Sequence, residues 1–156
     1  MIPIHNFDFL VGKSTVLNRR LKERLTGCDE WIEFTAEMET KKMYNGLILM
    51  DEMKTDYFGD DFIGLSIRML NPETNIWTIY WADTMSHERK LNEQVVGEFK
   101  DGIGLFYGKE LFEGKEMDLR FRWTKETENT ALWEQAYFNK NNQDWETNWT
   151  MLFTKV

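Results

Sequence analysis

The chain has 156 residues, 42% hydrophobic and 15% aromatic, which fits one domain with a sizeable core. A formal charge of −8 excludes a nucleic-acid or anionic-membrane surface, since both need clustered Lys and Arg. The lone Cys28 excludes an internal disulfide and a multi-cysteine zinc site, and fits a reduced, cytoplasmic setting.

From the N-terminus, Met1-Ile-Pro-Ile-His-Asn6 lacks the basic and apolar regions of a leader, and no run approaches the roughly 18 apolar residues of a membrane helix. His5 to Gly12 reads as one short helical turn, stopped by Gly12, that could plug a barrel end. Turn-forming clusters follow at 26–29, 45–46, 58–61, 71–75, 100–102, 113–114, 128–129 and 140–143. Between them the pattern predicts ten strands, at 13–25, 30–41, 47–57, 62–70, 76–82, 93–99, 103–111, 115–124, 131–139 and 145–154. Met117, Leu119, Phe121 and Trp123 alternating with Glu116, Asp118, Arg120 and Arg122 give the clearest half-buried strand. An even number of antiparallel strands lets the last pair with the first, so the expected fold is all-β: a single up-and-down barrel over residues 1–156. Ten strands enclose more than eight, so an interior cavity is expected. Asp83 to Asn92 is the longest irregular stretch and reads as a solvated connector.

Catalytic signatures fail in turn. Gly12-Lys13-Ser14 lacks the earlier glycine of a phosphate loop, because Phe7 stands there. His5 and His87 lack metal-site spacing and fall in segments expected to be exposed, so no metal or haem is assigned. No Gly-x-Ser-x-Gly elbow occurs. Asn148-Trp149-Thr150 matches a glycosylation acceptor but lies mid-strand, and Glu116, Asp118, Glu134 and Glu146 belong to solvated faces.

Register singles out three hairpins. A four-residue turn at Phe58 to Asp61 opposes Asp51 to Arg68 and Met53 to Ser66. Inside the barrel, the forked donors of Arg68 could hold a ligand carboxylate while Asp51 compensates the buried charge; outside, the two form a surface ion pair. Pairing across Asn71 to Asn75 sets Leu65, Ile67 and Met69 beside Trp77, Ile79 and Trp81, and Ser66, Arg68 and Leu70 beside Thr78 and Tyr80, with either face free to point inward. A three-residue loop at Lys140 to Asn142 places Trp133, Gln135, Tyr137, Trp145, Thr147 and Trp149 on one inner row, with Glu134, Glu146, Asn148 and Thr150 outward. Buried Trp, Tyr and Gln seek polar partners, so an internal polar cluster, water or ligand follows.

Phe7-Asp-Phe-Leu-Val-Gly12, Asn18-Arg-Arg-Leu21, Trp77-Thr-Ile-Tyr-Trp-Ala-Asp83, Phe121-Arg-Trp123, Trp133-Glu-Gln-Ala-Tyr137 and Trp145-Glu-Thr-Asn-Trp149 occur in an order that resembles a bacterial family of unknown function with a lipocalin-like, or calycin-like, barrel. The resemblance implies the fold and no reaction. The chain departs from lipocalins in having Ser14 where their Gly-x-Trp carries tryptophan, and from relatives in having Asn139 to Asp144 in place of a glycine-rich turn. The functional expectation is a non-catalytic barrel, without cofactor, for a small hydrophobic or aromatic-acid ligand. It is walled by Trp133, Gln135, Tyr137, Trp145, Thr147 and Trp149, with Arg68 and Asp51 at an anionic group. One alternative is an isomerase-, cyclase- or decarboxylase-like enzyme using Asp51, Glu52 or Tyr137 as interior acid or base. Another is a packed barrel that forms a homodimer.

Overall fold

The computed structural model describes residues 1–85 and 90–156. Its ten strands are β1 (Gly12–Leu21), β2 (Trp31–Met43), β3 (Ile48–Lys54), β4 (Ile63–Asn71), β5 (Ile76–Asp83), β6 (Val95–Lys100), β7 (Ile103–Phe112), β8 (Lys115–Thr127), β9 (Thr130–Asn139) and β10 (Asp144–Lys155). Each pairs antiparallel with its sequence neighbours, and β1 pairs with β10 from Ser14↔Lys155 to Arg20↔Trp149, closing the sheet. The all-β, ten-stranded, up-and-down barrel expected from the turn spacing is therefore observed. Among the described residues, no helix is long and apolar enough to cross a membrane.

Closure follows from period-two alternation. On β1 the buried Ser14, Val16 and Asn18 alternate with the exposed Thr15, Leu17 and Arg19, and β3 buries Leu49, Asp51 and Met53 in the same way. The N-terminal segment plugs one end as expected. Ile2 N–H donates to the Lys125 carbonyl at 2.7 Å and Ile4 N–H to that of Gly102 at 2.8 Å, and the short 3-10 turn Asp8–Leu10 then leads into β1. Phe7, fully buried, meets Trp77, Phe99, Phe106 and Trp123 with ring centroids 4.8–5.8 Å apart. Aromatic edges and faces thus fill the closed end, where Phe9, Leu10, Ala131 and Phe153 line a cleft of about 10 Å³, room for about one water.

Three registers differ from those expected. The loop between β3 and β4 spans residues 55–62, because Thr55 leaves the ladder: its Oγ1 donates to the Thr35 carbonyl at 2.8 Å. Asp51 therefore opposes Ser66, Met53 opposes Gly64 and Arg68 opposes Leu49, a slip of two residues that keeps every side chain on its expected face. Between β4 and β5, Asn75 is left-handed (φ 59°) and its N–H donates to the Asn71 carbonyl at 2.8 Å, which makes Asn71 oppose Ile76. This slip of one residue changes the faces: Ser66, Arg68 and Leu70 share the interior with Trp81, Ile79 and Trp77, while Leu65, Ile67 and Met69 face outward with Thr78 and Tyr80. Trp81 fits because Gly64 has no side chain; a Cβ there would overlap the indole.

The third correction concerns the last hairpin. Its loop has four residues, Lys140 to Gln143, with Gln143 left-handed (φ 57°) and Asn139 Oδ1 accepting from Asn141 N–H at 2.9 Å. Trp145 therefore opposes Phe138, Glu146 opposes Tyr137 and Thr147 opposes Ala136. A bulge between Thr147 and Trp149 then restores the expected parity, so that Trp149 opposes Gln135 and Met151 opposes Trp133. Trp145 and Thr147 thus lie outside; Trp145 packs on Phe138 and Tyr107 with Arg120 over its ring. Asn148, expected in water, is fully buried, and Glu146 leaves the solvated face to accept from Leu25 N–H at 2.7 Å.

Candidate functional site

The plug covers the end where β2–β3, β4–β5, β6–β7 and β8–β9 turn, and the opposite end, or mouth, carries the β1–β2, β3–β4, β7–β8 and β9–β10 connections. Strand β1 delivers Asn18 and Arg20 there, the following segment Arg24 and Leu25, and the 55–62 loop Tyr57, Phe58 and Phe62. Phe58 packs 4.8 Å from Phe62 and 6.2 Å from Trp149, and Tyr57 stacks on Phe34 at 3.9 Å with the planes 6° apart. Into this aromatic ring Arg20 projects, its guanidinium 4.5 Å from the Trp149 ring and 5.2 Å from Phe58. Burial, and then Arg24, lower the Arg20 pKa, against a hydrogen bond with Tyr57 that raises it. Neither Arg20 nor Arg24 is ion-paired with a carboxylate of the described residues, and Arg20 Nε is buried without a partner.

Beneath the guanidinium lies a run of amides. Trp149 Nε1 donates to Asn18 Oδ1 at 2.9 Å, and Gln135 Nε2 donates to Asn148 Oδ1 at 2.9 Å. The Asn18 orientation is fixed, since an indole N–H only donates. Asn18 and Asn148 are fully buried, yet the Nδ2 of each lacks a partner. At the rim, Arg24 Nη1 donates to the Tyr137 hydroxyl at 2.9 Å and that hydroxyl donates to Glu110. Burial first, and then the Glu110 carboxylate, push the Tyr137 phenol far above its ordinary pKa, so it stays protonated.

A second polar group lies deeper. Arg68 and Asp51, 5% and 2% exposed, form a buried ion pair, with Arg68 Nη1 donating to Asp51 Oδ2. The Arg68 guanidinium sits 5.1 Å from the Phe7 ring and 5.8 Å from that of Trp123, so the plug covers it. Asp51 Oδ1, Arg68 Nε and the opposing Thr40 Oγ1 have no partner. These atoms mix acceptor, donor and hydroxyl, which water satisfies.

Trp133, Gln135, Tyr137, Trp149, Arg68 and Asp51 thus face the interior, and Trp145 and Thr147 do not. Of the groups named for acid–base chemistry, Asp51 is ion-paired, Glu52 is exposed on the outer face and the Tyr137 hydroxyl is bonded on both sides. His5 is exposed and His87 lies outside the described residues; among those described, no His, Cys, Asp or Glu side chains converge as metal ligands would. Cys28 is a half-buried turn residue whose sulfur accepts from Glu30 N–H.

Sequence reasoning missed Asn18, Arg20, Arg24 and Asn148. The signal for Asn18 and Arg20 was their parity with Val16, which β1 must bury to close the barrel. Arg24 lies beyond the end of β1, and Asn148 is turned inward by a bulge, so alternation marks neither. No protein-family model matches the sequence and no curated protein matches it, so the resemblance to the barrel family rests on the order of its motifs and on the fold.

Proposed function

We propose that the protein binds a small, partly hydrophobic, anionic molecule at the mouth of its barrel, opposite the N-terminal plug. The observation that carries this reading is the Arg20 guanidinium, stacked on Trp149 beside a second arginine, with no carboxylate partner among the described residues of a chain of net charge −8. Desolvated cations are ordinarily paired, and the described carboxylates nearest here are engaged by other groups, Glu110 by the Tyr137 hydroxyl and Glu146 by Leu25 N–H. Trp133, Gln135, Tyr137 and Trp149 form the wall. Arg68 and Asp51 neutralise each other beneath it and act as its floor rather than as the anion clamp. Native mass spectrometry of gently purified protein and a thermal-shift panel of lipids and aromatic acids test the reading. The expected result is a bound molecule or a raised melting temperature that Arg20→Gln abolishes. An empty barrel with no shift across the panel would sink it.

The outer face of β3, β4 and β5 favours a second, compatible reading, that two copies associate. Met50, Ile67 and Tyr80 share one row, Ile48, Met69 and Thr78 another, and Leu65 with Ala82 a third; no charged residue stands at the outward positions from Ile63 to Met69 on β4 or from Thr78 to Ala82 on β5. A chain of this net charge repels its copy except through such a face. These three rows, with Glu52 at the β3 end of the third, present on the order of 300 Å² per copy, which suits a weak dimer rather than an obligate one. Light scattering should give a mass rising from 18.8 kDa towards twice that as concentration increases, and Ile67→Glu should hold it at the monomer. A constant monomer mass at high concentration removes the reading.

A further inference from the structure

We infer that the ligand class is an aromatic carboxylate, its oxygens held over the Asn18, Arg20 and Asn148 cluster and its ring against Trp149, Phe34 and Phe58; this rests on the mouth-binding reading above. The warrant is the sign of what the cluster leaves unspent. Asn18 Nδ2, Asn148 Nδ2 and Arg20 Nε are all buried, all unpartnered and all donors. Nearby acceptors are already used: Asn18 Oδ1 by the Trp149 indole and Asn148 Oδ1 by Gln135. Three orphaned donors are satisfied by a group that only accepts, and a carboxylate offers about four lone-pair sites on two oxygens.

Charge selects the same class. A ketone or ether would accept from the amides yet leave Arg20 and Arg24 as adjacent like charges, whose repulsion is one cause of the lowered Arg20 pKa. A carboxylate answers both demands and matches the planar fork of a guanidinium. The deeper Thr40, Asp51 and Arg68 group is a poor competitor, because its guanidinium is already neutralised and one of its orphans is a carboxylate oxygen that repels an anion. The rings supply the apolar half. Trp149 lies 6.2 Å from Phe58 and 6.5 Å from Phe34, in direct contact with both, and all three are half-buried, so a ligand ring packs on the accessible side of this cluster rather than between its members.

The test is calorimetric titration of the full chain with 1-naphthoate and 1-naphthamide, which share a ring system and differ in charge, and with inorganic phosphate, which lacks a ring. The expected result is naphthoate at least about tenfold tighter than naphthamide, little binding of phosphate, and naphthoate affinity that falls as ionic strength rises. Arg20→Gln should bring the two naphthalenes within about threefold of each other, by weakening the acid far more than the amide. Arg24→Gln, at a half-buried position beyond the end of β1, gives a second variant with the same expectation should Arg20→Gln fail to fold. Equal binding of acid and amide overturns the carboxylate assignment and leaves mouth binding standing. Phosphate as tight as naphthoate overturns the role of the rings. Failure of both naphthalenes to bind removes the mouth-binding reading with it.

Discussion

Trp149 donates its indole N–H to Asn18 across the β1–β10 seam, at 2.9 Å and from inside the barrel. The bond ties together the two strands whose pairing closes the sheet. Trp149→Phe keeps a ring beneath Arg20 but strands the buried Asn18 oxygen, at a cost of about 1–3 kcal/mol. Urea denaturation measures it. A variant as stable as the parent would mean that the seam does not depend on this bond.

Arg68 and Asp51 form a buried ion pair whose halves cannot stand alone. Arg68→Met leaves an uncompensated carboxylate and should cost about 3–5 kcal/mol, whereas joining it with Asp51→Leu should recover most of that. A double-mutant cycle in the same denaturant reads the coupling. Additive losses would show that the two side chains do not depend on each other.

Faces and registers were unequally legible in the sequence, and strand pairing explains the difference. Asp51 and Arg68 were placed together despite a wrong turn length, because the slip was of two residues and a two-residue slip preserves faces. Trp145 and Thr147 were misplaced by a slip of one, which a single left-handed Gln143 produces. Trp133, Gln135 and Tyr137 depend only on the alternation of β9 and were read correctly. Asn18 and Arg20 shared the parity of the buried Val16, yet an Asn and an Arg on a strand read as its wet side unless the partner strand is known to bring a tryptophan, and Arg24, beyond the strand, has no parity to read.

Phe7 closes the barrel floor and touches five aromatic rings besides the Arg68 guanidinium. Phe7→Ala should cost about 3–5 kcal/mol, as truncations of a fully buried aromatic do. Hydrogen exchange adds location: the loss should speed exchange at Ile2 and Ile4, whose amides pin the plug. Protection unchanged at both would show that the segment is held by its backbone alone.

Tyr137 makes alkaline pH a probe of the mouth. Its phenol pKa is raised in the folded chain, so above the ordinary tyrosine value of about 10 the unfolded chain releases a proton that the folded one retains. Its contribution is full below pH 10 and lost as pH rises further, and Tyr137→Phe should remove this part of the slope. Ultraviolet titration gives an independent reading, with one of the five tyrosines ionising last. If all five titrate together near their usual value, the Tyr137 environment is wetter than its hydrogen bonds imply.

The β10 bulge also has a bearing on how this chain tolerates change. Upstream of it, every side chain on the arm takes its face from the length of the turn; downstream, Trp149, Met151 and Phe153 take theirs from β1 and β9. One extra residue, Asn148, thus works as a phase correction, absorbing the odd residue of the turn before the error reaches the seam. Turn length and the inward row at the seam are free to vary separately. Deleting one residue from Lys140 to Gln143 should turn Trp145 inward and leave the floor of the mouth as it is.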